Sequence, residues 1–121
     1  MSTLDEIEQA IAAHAQWKQR LNDAIVCGRS DWTPAEVRQD CNCQFGKWLY
    51  DGIDPKEKTS KAYAKILSMH ALFHKEAGTV LELALNGEQQ EAKLRVAIGG
   101  VYLKISSELI HEMQNWKKSF N

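Results

Sequence analysis

An all-α helical bundle is the fold class this sequence predicts, and three observations predict it. Apolar residues recur three and four apart over long intervals, only two prolines and seven glycines interrupt them, and 121 residues suffice for one compact domain. The first segment, about 2–28, sets Leu4, Ile7, Ile11, His14, Leu21 and Ile25 on one stripe, with Ser2 or Thr3 as N-cap and Gly28 beyond the last turn. The linker 29–40 carries turn signals at Ser30, Asp31, Thr33 and Pro34, and Pro34 stands where a single helical turn would open. Residues 41–52 read as a short helix with Asn42 as cap, Gly52 as stop and Phe45, Trp48 and Leu49 on one face. The third segment, about 54–87, opens at Pro55 and aligns Tyr63, Ile66, Leu67, His70, Phe73, His74, Ala77, Val80, Leu81 and Ala84. The last, 88–120, aligns Val96 or Ile98 with Tyr102, Ile105, Leu109, Met113, Trp116 and Phe120, antiparallel to its predecessor after the short connection at Gly87. The expectation is an antiparallel four-helix bundle: three long helices plus a short cysteine-bearing helix and linker. Gly99 and Gly100 fall inside the last helix, where each costs about 1 kcal/mol relative to alanine. They read as a kink or close helix crossing, with a dimer partner seated there as the alternative.

Composition narrows the function. Fifteen basic residues against sixteen acidic ones give a net charge of −1, so there is no basic field for nucleic acid or anionic lipid. No stretch approaches the roughly 20 apolar residues of a membrane span. The N-terminus bears Asp5, Glu6 and Glu8 where a signal peptide would bear bases, so a cytoplasmic location is expected. Three cysteines are too few for a disulfide scaffold and are read as reduced thiols, one of which binds metal.

His70 and His74, four apart on a strongly periodic helix, emerge from one face a turn apart. Both lie in an apolar stripe whose neighbours Ile66, Phe73 and Ala77 offer their nitrogens no partner; a shared metal ion removes that problem. His14 is the same anomaly on the first helix, whereas His111 falls off its stripe and reads as solvated. Zinc takes four tetrahedral ligands from thiolate and imidazole, so His14, His70 and His74 need one cysteine. Cys41 and Cys43, two residues apart, point in different directions. Cys43 is the better ligand because it stands at the start of the short helix, where unpaired N–H groups stabilise a thiolate. Phe45, Trp48 and Leu49 would dock that helix while Gly46 permits close approach. Cys27 reads as a small buried residue near a helix end and Cys41 as a surface thiol. Trp17, three beyond His14, is placed to shield the metal from water. Asp40, Glu76 and Glu108 are candidates to accept hydrogen bonds from metal-bound imidazoles.

A histidine followed by Trp17 in the first helix, Cys-Gln-Phe-Gly-Lys-Trp at 43–48 and His-Ala-Leu-Phe-His at 70–74 together resemble the chemoreceptor zinc-binding domain. The resemblance covers nearly the whole chain. It implies zinc ligands at His14, Cys43, His70 and His74, a four-helix bundle that pairs as a homodimer, and a cytoplasmic sensory module attached to a chemotaxis receptor or a diguanylate cyclase. No signalling coiled coil or cyclase domain is present, so the chain is either a free-standing member or an excised regulatory piece. Three His and one Cys fill a tetrahedral sphere and leave no place for an activated water, so an enzyme is not expected. A purely structural zinc in a helical dimerisation module is the main alternative. A di-iron bundle would need Glu-x-x-His pairs that the helices lack, and a metal-free scaffold would leave three core histidines unexplained.

Overall fold

The computed structural model describes residues 3–120, and every regular element among them is a helix or helical turn. Helix α1, Thr3–Cys27, buries Ile7, Ala10, His14, Trp17, Leu21, Ala24 and Ile25, while Leu4 and Ile11 sit at the margin of that stripe. The expected cap at Ser2 lies outside the described residues. Cys27 is exposed, not buried as expected: the last turn sends Ala24 and Ile25 inward and leaves Val26 and Cys27 in solvent.

Helix α2, Pro34–Arg38, is the single turn expected at Pro34, and a capping box closes it. Thr33 Oγ1 accepts from the Glu36 N–H at 3.1 Å, and the Glu36 carboxylate accepts from the Thr33 N–H at 3.0 Å. A 3-10 turn at Asp40–Asn42 leads into α3, Gln44–Lys47, which widens over Trp48–Gly52 and stops there. Because residues 40–42 are used in that turn, the N-cap of α3 is Cys43 and not Asn42, whose amide donates instead to the Glu36 carbonyl. Pro55 likewise opens a 3-10 turn, Pro55–Thr59, and the true start of helix α4, Lys61–Leu85, is capped by Ser60, whose Oγ accepts from the Tyr63 N–H at 3.0 Å. Every member of the expected α4 stripe is buried except the half-buried Leu67.

The last long helix arrives as two, α5 at Gln89–Val96 and α6 at Val101–Lys118. Gly99 has φ +86°, the left-handed conformation that ends a helix. Val96 takes the core position at the break, whereas Ile98 is 94% exposed. Helix α4 packs against α1, α2, α5 and α6. Ion pairs set the directions: Lys65–Glu112 at 3.0 Å and Glu8–Lys117 at 3.3 Å join the early parts of α4 and α1 to the late part of α6. Helix α6 is thus antiparallel to both, and α1 and α4 run the same way. Bringing the chain back between two parallel helices takes a long connection, and that connection holds α2 and α3. One continuous apolar core spans all six helices.

Candidate metal centre

Three separate parts of the chain bring donors to one point: His14 from α1, Cys43 from the N-cap of α3, and His70 and His74 from consecutive turns of α4. Their four ligand atoms lie within 4.8 Å of one another. His70 Nε2 is 3.1 Å from His14 Nε2, 3.1 Å from His74 Nε2 and 3.3 Å from Cys43 Sγ. Bonds of about 2.0–2.1 Å to nitrogen and 2.3 Å to sulfur at tetrahedral angles separate N from N by about 3.3 Å and N from S by about 3.6 Å. The three distances from His70 Nε2 therefore match tetrahedral zinc spacing to within a few tenths of an ångström, and all four donors lie close enough for one ion to be drawn in among them.

Hydrogen bonding orients the rings. His14 Nδ1 donates to the Ala10 carbonyl at 2.7 Å, and His74 Nδ1 donates to the Val37 carbonyl at 2.8 Å. With those protons on Nδ1, each ring turns an Nε2 lone pair inward, and His70 Nε2 brings at most one N–H to meet both. Converging lone pairs of this kind fit a cation. His70 Nδ1 is buried without a hydrogen-bond partner, and the facing acid is Asp40, its Oδ2 3.9 Å away and held at 2.7 Å by the Tyr50 hydroxyl. Burial keeps all three imidazoles neutral. It lowers His14 to about 4, against the Ala10 hydrogen bond, and drives His70 to about 2 with help from the neighbouring imidazoles. His74 is lowered by the same burial. Burial raises the Cys43 thiol, with the Gly46 and Phe45 N–H groups opposing.

Cys43 is placed by a local device. Its Sγ accepts from the Gly46 N–H at 3.3 Å and faces the Asp40 carbonyl at 3.6 Å. A Cβ at Gly46 would overlap that carbonyl oxygen, so glycine lets the turn 40–43 close onto α3. Phe45 meets His70 and His14 edge-on, with ring centroids 5.2 and 5.8 Å apart. Trp48 stacks on Phe45 at 5.8 Å and leans on Trp116, backing the ring that meets His70 and His14. Trp17 packs against Trp32 and Arg20 and lines a crevice beside His14.

Of the three acids expected to support the imidazoles, Asp40 alone is in place. Glu76 is taken by Arg95 at 2.8 Å on the other side of α4, and Glu108 is exposed on α6. The Ala10 and Val37 carbonyls do the work on His14 and His74, and main-chain groups leave no mark in a sequence. Cys41 is exposed, as is His111, whose Nε2 lies 3.3 Å from the Asn115 amide.

A family model described as the chemoreceptor zinc-binding domain matches residues 14–81, more than half of the chain and a span that contains all four donors. No curated protein and no solved structure matches. The donor chemistry, the spacing and the matched span agree: the chain belongs to the chemoreceptor zinc-binding domain family.

Proposed function

We propose that the chain is a zinc-binding sensory module that holds one ion through His14, Cys43, His70 and His74 and passes its metal state to a signalling partner. The convergence of the four donors carries this reading. Zinc, when bound, supplies a tetrahedral link among the three parts of the chain that bear these residues. His14 holds α1, Cys43 holds α3 and the adjoining turn, and His70 and His74 hold α4, so losing the ion frees these elements to repack. The apolar core spans the whole bundle, so the fold is expected to persist without metal. Pairing as a homodimer, and an output through a chemotaxis receptor or diguanylate cyclase, are the readings that the family supports.

Two inputs are proposed, zinc availability and thiol oxidation, with Cys43 as the switchable ligand. The thiolate sulfur attacks an oxygen of hydrogen peroxide: an S–O bond forms, the O–O bond breaks and hydroxide leaves. The sulfur becomes a two-electron-oxidised sulfenic acid and no longer serves as a thiolate ligand. The second reading, a purely structural zinc in a dimerisation module, is favoured by the deep burial of the three histidines. Elemental analysis of protein purified without added metal should find about one zinc per chain. Cys43→Ala should lower affinity in a competition titration with a chelating dye while the helical circular dichroism persists. No uptake of zinc would reject the sensory and structural readings alike, and collapse of the helices on zinc removal would leave the structural one.

A further inference from the structure

We propose that the crevice between α1 and α3 is the passage by which a divalent metal ion reaches and leaves the four donors, with the Gln44–Gln9 hydrogen bond as its latch. This rests on the metal-binding reading above and deepens it. The three histidines are at most 2% exposed, and Cys43 is the half-buried donor. Phe45 and Phe73 close on the imidazoles edge-on, and the main chain of α2 covers His74. What opens toward the donors is a cavity of about 70 Å³ lined by Glu6, Gln9, Ala13, His14, Cys43 and Gln44 among others. That exceeds the roughly 10–15 Å³ of such space that one water molecule needs, so a partly hydrated ion has room. Cys43 and His14 line the crevice, whereas His70 and His74 do not. An arriving ion therefore meets the outer pair first and the inner pair second. Glu6, the acid in the wall, favours a cation there. Gln44 Nε2 donates to Gln9 Oε1 at 3.3 Å across the opening, a long bond between neutral, exposed groups that breaks readily.

Rapid-mixing transfer of zinc between the loaded chain and excess chelating dye tests the passage. Gln44→Ala should speed uptake and release together, several-fold, and leave the equilibrium constant unchanged, as removal of a latch requires. Ala13→Phe, an exposed position in the wall, should slow both by narrowing the opening. In the metal-free chain, the rate at which iodoacetamide modifies Cys43, followed by peptide mass mapping, should change in the same directions. Wild-type rates in both variants, or a change in release alone with a matching loss of affinity, would overturn the passage while leaving the metal site intact. A wild-type chain that takes up no zinc would instead overturn the reading on which it rests.

Discussion

Asp40 acts on the centre twice, through its carbonyl beside Cys43 Sγ and through a carboxylate that faces the unpartnered Nδ1 of His70. A carboxylate behind a metal-bound imidazole fixes its tautomer, and losing such a partner typically costs about 10–100-fold in metal affinity. Asp40→Ala should therefore weaken zinc binding by about that factor in a chelator competition, and Asp40→Asn, which keeps an oxygen acceptor, should recover part of it. Gly46→Ala forces its methyl into the Asp40 carbonyl and should destabilise the fold by about 1–3 kcal/mol, measured by urea unfolding of the metal-free chain. His14, His70 and His74 were legible together because each is a polar donor at an apolar position, and Cys43 because it stands near the start of the short helix, although its own role as the cap was not. The partners of His14 and His74 were not, because they are peptide carbonyls that every residue possesses.

At the scale of the element, hydrophobic spacing located α1 and α4 closely, and the errors fell where turn chemistry competes with it. Pro34 and Pro55 both mark helical turns, but after Pro55 the chain makes a 3-10 turn and restarts behind Ser60. Residues 88–120 have one unbroken three-and-four pattern, yet Gly99 at φ +86° divides them, since a left-handed residue cannot continue a right-handed helix. Replacing Gly99 by alanine puts a Cβ into that conformation and should cost about 1–2 kcal/mol, seen as a lower urea midpoint with an unchanged slope. The spacing starts the short helix behind an Asn42 cap, but the chain makes a 3-10 turn at Asp40–Asn42 instead, and that turn is what makes Cys43 a cap and a donor at once.

Across the whole molecule, the buried histidines link stability to both protons and metal. In the metal-free fold His14 is lowered to about 4, and His70 and His74 are lowered as well, against about 6.5 in the unfolded chain. Below about pH 6.5 the unfolded chain binds more protons, so their stabilising contribution is complete above that pH and is lost as pH falls toward 4. Urea midpoints of the metal-free protein should accordingly drop between pH 7 and pH 4.5. Zinc at a hundred times its dissociation constant should raise unfolding free energy by about 2.7 kcal/mol at neutral pH, read as a higher Tm. None of the helices among the described residues is long and apolar enough to cross a membrane.

Apolar period and the placement of histidines inside buried stripes determined the helical class, the main helices and the three histidines that the structure brings together, because these depend on neighbours three or four residues away. Tertiary structure alone decided that α1 and α4 run in parallel, that the connection between them folds over α4 to deliver Cys43, that Asp40 faces His70 and that the Val37 carbonyl orients His74. Those relations join groups far apart in the chain, or main-chain atoms common to all residues, and only packing in three dimensions selects among them.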